Sequence, residues 1–192
     1  MKERPILFSG PMVCAILAGR KTQTRRVMKC RMPHDRIVDM LRYKDADRKP
    51  TGEWGLCSHE RVISEHIHCP YGAPGDRLWV RETHYVQSAG YADGSGKLIL
   101  YKADGDAPTT WTPSIHMPRW ASRITLEVTE VRIERLQNIS AADSVAEGCD
   151  SCTPCDQFRA LWTFIHTADG PNGWAANPWV WVVGFRRVDG GN

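Results

Sequence analysis

The spacing of hydrophobic and polar positions changes several times along the chain, and each change predicts an element. Arg4 to Phe8 reads as a short strand. Ser9-Gly10-Pro11 then reads as a helix start, with Ser9 as N-cap and Pro11 in the first turn. Met12, Val13, Ile16 and Leu17 recur at helical spacing, and Gly19 is the natural stop. Arg77 to Val86 reads as one strand launched by the turn Tyr71 to Asp76; Leu78 and Val80 share a face on which Glu82 comes next. A second strand, Lys97 to Lys102, follows the turn Asp93 to Gly96. Arg123 to Leu136 is the clearest strand: Ile124, Leu126 and Val128 alternate with polar residues, the phase slips at Thr129-Glu130, and Val131 and Ile133 resume it. A slip of this kind predicts a bulge or a bend at a barrel corner.

Ser140 to Glu147 has a serine cap with an acid three residues on, and Gly148 closes it as a helix. Phe158, Leu161, Trp162 and Ile165 give another amphipathic helix, and Pro178 to Val188 an apolar terminal strand. Residues 28–68 are polar, with weak strand signals at Arg36 to Tyr43 and Arg61 to Ile67, and read as an insertion or elaborated loop. Trp111 to Trp120, with Pro113 and Pro118, reads as an irregular loop. Strands and short helices without regular βαβ alternation predict a single α+β domain over residues 1–192, built as a small β-barrel with flanking helices.

A chain of 192 residues buries about 70 % of the surface its unfolded form exposes, and so needs no disulfide or metal to fold. There is no apolar run long enough to span a bilayer and no signal-peptide pattern behind Met1-Lys2-Glu3-Arg4-Pro5, so the expectation is a cytoplasmic protein with reduced thiols and no membrane partner. A net charge of +3 falls short of the footprint of a dedicated duplex binder but excludes neither RNA nor a small molecule. Eight Trp against four Phe suit base stacking as well as core packing, with packing the default for any one of them. Cys149, Cys152 and Cys155 have the spacing of part of a metal site but lack a fourth ligand nearby; the default is a thiol-bearing surface loop, with no metal and no cofactor.

The sharpest chemical feature is Gly19-Arg20-Lys21-Thr22-Gln23-Thr24-Arg25-Arg26. If the helical turn continues, Lys21 and Thr24 share a face; in an extended strand they point apart. Arg20, Arg25 and Arg26 would push the Lys21 pKa down and make a neutral amine available as a base, with Arg26 placed to hold an oxyanion or a phosphate. The plainer reading is a solvated basic helix end. Glu82 is a second acid of interest, either facing a barrel mouth or pairing with Arg81 or Arg26. Trp79 on the same strand, and Arg119 and Trp120 (with His116) in the loop, are candidates to line a binding rim, against ordinary packing.

Residues Ile16 to Thr22 with Thr24 and Arg26 match the G-x-K-x-x-[ET]-x-R signature of the ASCH domain, a relative of the PUA β-barrel, and the sequence resembles that family. Gly75-Asp76 before an apolar strand, and the aromatic final strand ending near Phe185, fall where the family has them. Residues 28–68 and 85–120 exceed its compact core. Within the family the chain is similar to N4-acetylcytidine amidohydrolases: Lys21 and Thr24 match their catalytic lysine and threonine. Glu147 lies in the helix after a strand carrying Glu127-Val128-Thr129, as their catalytic glutamate does. The resemblance implies Thr24 as nucleophile, Lys21 as proton acceptor and Glu147 as proton donor, acting on a modified pyrimidine nucleoside or RNA, with no obligate protein partner inferred. The alternatives are a non-catalytic RNA-binding module or a ribonuclease in which Lys21 and Arg26 act on a phosphate.

Overall fold

The computed structural model describes residues 1–29, 39–44, 50–57, 62–88, 97–105, 108, 110–167 and 170–188. The strands are β1 (Glu3–Leu7), β2 (Gln23–Val27), β3 (Asp39–Lys44), β4 (Pro50–Cys57), β5 (Val62–His68), β6 (Arg77–Arg81), β7 (His84–Ser88), β8 (Lys97–Tyr101), β9 (Thr125–Arg135) and β10 (Trp179–Val188). The α-helices are α1 (Gly10–Leu17), α2 (Ala141–Ala146) and α3 (Pro154–Ile165). The expected turn Asp93 to Gly96 lies outside the described residues. The architecture is mixed α+β, and no helix among the described residues is long and apolar enough to cross a membrane.

The main sheet has the order β1-β6-β9-β10-β2, with β1 parallel to β6 and the other pairs antiparallel. Alternation on β10 divides the core in two. Trp181, Val183 and Phe185 pack inward with Ile6, Val13, Leu78, Val80 and Leu126, whereas Val180 and Val182 pack outward against Phe158 and Trp162 of α3. Burying each of these two aromatics contributes about 2–3 kcal/mol, which fixes α3 across the outer face. The phase slip in β9 has its counterpart in the pairing. Gly184 opposes Glu130 and Phe185 opposes Val128, so Thr129 is the extra residue of a bulge. A Cβ on Gly184 would sit 3.2 Å from Thr129 Oγ1, so a larger residue opposite the bulge crowds that side chain.

β1 and β2 are the two edges of this sheet. Arg26 donates from its guanidinium to the Leu7 carbonyl and so spans the space between them. Among the described residues no strand ladder joins β1 to β2, and the sheet is open along this seam.

Residues 28–68 carry an antiparallel sheet, β3-β4-β5. Its Trp54 packs edge-on to Trp181 with ring centroids 6.2 Å apart, which ties the addition to the inner core. The strand expected over Arg77 to Val86 is interrupted at Glu82-Thr83 and divides into β6 and β7, the latter pairing with β8. At the break, both Glu82 carboxylate oxygens accept hydrogen bonds of 2.9 Å from Arg123.

Candidate active site

The chain reverses after α1 through Gly19, whose φ of +72° suits glycine. The amides of Arg20 and Lys21 both donate to the Ala15 carbonyl, at 2.9 and 3.1 Å. The Thr22 amide then donates to Ala146 at the end of α2, and the Thr22 carbonyl accepts from Phe185. The helical turn therefore does not continue through the basic segment, which becomes strand β2 instead. Lys21 lies before the regular ladder. Lys21 Nζ and the Arg26 guanidinium stand 5.7 and 5.2 Å from the Phe8 ring centroid. Thr24 pairs with Val183 and shares the inner face with Arg26, while Arg25 points to the α2 and α3 side.

Helix α2 delivers Glu147. Ser140 and Asp143 form a reciprocal capping box at its start, and Glu147 is its C-cap. Gly148 follows with φ of +94°, and a Cβ there would meet Ala15 Cβ at 3.2 Å and Lys21 Cβ at 3.4 Å. The conformation strains any side chain and the space for one is tight. Gly148→Ala is expected to lower stability by about 2 kcal/mol, with Glu147 displaced, as read by thermal unfolding.

Lys21 Nζ donates to Glu147 Oε2 and to the Glu147 carbonyl, both at 2.7 Å. The two side chains are 1 % and 4 % exposed. Burial pushes the Lys21 pKa below the ordinary lysine value; Glu147 opposes that shift and Arg26 adds to it. Desolvation, rather than the neighbouring cations, is thus the main cause. Arg20 is turned outward to Asp150, and Arg25 is held by Glu134 at 3.0 Å and Asp143 at 3.3 Å.

Arg132 knits the acids around Arg25 together, binding Glu134 and Asp143. Burial alone would raise the Asp143 carboxyl, but the Ser140 hydroxyl, Arg25 and Arg132 outweigh it and hold the pKa at about 2. A depressed carboxylate pKa stabilises the fold above its unfolded value and loses that contribution as pH falls through the folded one. Asp143→Asn is expected to cost about 2 kcal/mol at neutral pH and almost nothing at pH about 2, measured by denaturant unfolding at the two pH values.

The open seam holds a cavity of about 400 Å³. Phe8, Thr24, Arg25, Arg26 and Glu147 line it from the sheet side and the end of α2, and Phe158, Trp162 and Phe164 line it from α3. Lys21 stands behind Glu147 rather than in the lining. Thr24 and Glu147 thus meet at one cavity, and Lys21 reaches it through Glu147; among the described residues the Lys21 amine bonds to Glu147 and not to the Thr24 hydroxyl.

The other candidates lie elsewhere. Glu82 is 1 % exposed and paired with Arg123, not Arg81 or Arg26. Trp79 is buried beneath the Arg81 guanidinium, Arg119 bonds to Glu3 and Thr125, and Trp120 is 56 % exposed; none of these lines the cavity. Cys149 is buried, Cys152 exposed and Cys155 intermediate. No group of three or more His, Cys, Asp or Glu suited to a metal ion occurs among the described residues. Sequence reasoning missed the aromatic wall of α3, whose periodicity reads as core, and the placement of Arg25.

No family model matches the chain, and no curated protein matches it. Among solved structures it is similar to protein EF3133 from Enterococcus faecalis V583, assigned to family DUF984, with a TM-score of 0.46 and 11 % identity over 98 % of this chain and 82 % of that one.

Proposed function

We propose that the protein is an amidohydrolase of the ASCH type with a PUA-like fold, removing an acyl group from the exocyclic N4 of a cytidine-type nucleoside. The observation that carries this reading is the buried Lys21–Glu147 pair behind a cavity that Thr24 also lines. The pair holds one shared proton. Shifted across the 2.7 Å contact, that proton leaves a neutral amine and a protonated carboxyl, a base and an acid at once.

Thr24 Oγ attacks the acyl carbonyl carbon, and the hydroxyl proton passes to the Lys21 amine, which exchanges its bond to Glu147 for one to Thr24. The Arg26 guanidinium faces the oxyanion. The C–N4 bond breaks as Glu147 protonates N4, leaving free cytidine and an ester on Thr24. Water then attacks the ester, giving a proton to Glu147, while Thr24 Oγ leaves with the proton held by Lys21. The carboxylic acid departs and the starting proton count is restored.

Incubation of the protein with N4-acetylcytidine is expected to release cytidine and acetate in equal amounts; absence of both overturns the reading. The kcat/KM profile is expected to be bell-shaped, because a second proton removes the base and loss of the shared proton removes the acid. Its alkaline limb falls below the ordinary lysine value, as burial lowers the Lys21 pKa.

A second reading has its own support. Phe164 on the cavity wall is 90 % exposed, a face on which an RNA base can stack without being turned over. Binding of single-stranded RNA with no cytidine release favours it.

A further inference from the structure

Among the described residues, four buried atoms on cavity-lining side chains make no hydrogen bond: Arg25 Nε, Arg26 Nε, and the donor and acceptor Arg25 Nη1 and Glu147 Oε1. Arg25 Nη1 and Glu147 Oε1 form an ion pair at 3.6 Å, beyond hydrogen-bond distance, on two residues that both line the cavity. One further atom of each group is anchored. Arg25 Nη2 is taken by Glu134 and Asp143, and Glu147 Oε2 by Lys21. Each group is therefore held from behind, with Arg25 Nη1 and Glu147 Oε1 brought close to one another. The Arg25 side chain is 0 % exposed and that of Glu147 is 4 % exposed. A buried donor and acceptor held this way can each gain a hydrogen bond from a ligand that reaches both.

We propose that Arg25 and Glu147 form a recognition pair for a planar amide or amidine edge, in which one acceptor atom sits beside one N–H. The ligand acceptor takes the proton of Arg25 Nη1 and the ligand N–H donates to Glu147 Oε1, so the side chains separate slightly and the ligand bridges them. Neither a carboxylate, with two acceptors, nor an amidinium, with two donors, matches both atoms. The remainder of such a ligand is flat and apolar, facing Phe158 and Trp162. N3 and N4–H of a cytosine have this arrangement, but so do many carboxamides. The inference thus goes beyond the hydrolase reading and does not need turnover to hold. Arg25 is a specificity-determining residue in this scheme and takes no part in bond breaking.

Benzamide and acetophenone test it on the full-length protein. The two share a ring and a carbonyl, and differ in that a methyl replaces the amide NH2. Benzamide is expected to bind about tenfold more tightly, although it is the more hydrophilic of the two, because acetophenone leaves Glu147 Oε1 unmet. Equal affinities, preference for the ketone, or binding of neither overturns the proposal. The carbonyl stretch of carbonyl-13C benzamide supplies a readout that a merely structural Arg25 would not move. It is expected to fall in frequency on binding to the native protein, and the fall is lost in Arg25→Gln. If that variant does not fold, the native comparison alone decides. N4-acetylcytidine turnover without amide preference overturns only this inference, whereas amide preference without turnover overturns only the hydrolase reading.

Discussion

Thr24→Ala is expected to lower kcat/KM on N4-acetylcytidine by about 10³-fold or more while leaving a folded protein. Thr24 is 3 % exposed on the inner face of β2, opposite Val183, so truncation removes one buried methyl and one hydroxyl. The associated loss of stability is about 1–2 kcal/mol, small beside a domain stability of about 5–15 kcal/mol. Thr24→Ser restores the nucleophile without the methyl and is expected to recover most of the turnover. This separates chemistry from packing, since a purely structural Thr24 makes serine nearly as harmful as alanine. Single-turnover kinetics provide a further check, because a native enzyme that passes through an ester on Thr24 releases cytidine in a burst before acetate. Equal activity of native protein and Thr24→Ala overturns the nucleophile assignment.

How far the sequence reveals this site depends on whether each interaction is local. The capping box at Ser140 and Asp143, the stop at Gly148 and the slip at Thr129 all follow from residues within a few positions of one another, and the structure places each where the pattern indicates. Strand β2 is different. Gln23 to Val27 is polar and looks like a solvated helix end, yet it is an edge strand whose Arg25 is held by Glu134, 109 positions away. No periodicity encodes a pairing at that separation. β4 carries two glycines and little apolar character, so its place at the centre of a meander is equally hidden. Glu147 is singled out only by the family resemblance; by pattern it is an acid at a helix end. The wall formed by α3 is misread for a more general reason. An apolar helical face looks the same whether it covers a core or a cavity, and here Phe158 and Trp162 do both.

The Lys21–Glu147 pair gives the second large effect, on stability rather than rate. Lys21→Met leaves a carboxylate that is 5 % exposed without its principal partner, and the expected loss is about 3–5 kcal/mol. Arg25 Nη1, 3.6 Å from Glu147 Oε1, moderates this loss without making a hydrogen bond in its present position. Glu147→Leu leaves a buried amine held by the residue 147 backbone carbonyl, and the loss at neutral pH is of the same order, about 3 kcal/mol. The two single variants differ in their response to pH. Without Glu147 to oppose desolvation, the Lys21 pKa falls further below the lysine value, and the unfolded chain then binds more protons than the folded one. Stability of Glu147→Leu therefore rises with pH from the folded pKa up to the ordinary lysine value, and its deficit shrinks across that window. The double variant Lys21→Met with Glu147→Leu removes both charges from the interior and is expected to lie within about 1–2 kcal/mol of the native protein, well above either single change. Urea unfolding of the four proteins measures this coupling. A double variant whose loss equals the sum of the singles shows that the two residues do not interact, and removes the shared proton on which the catalytic scheme depends.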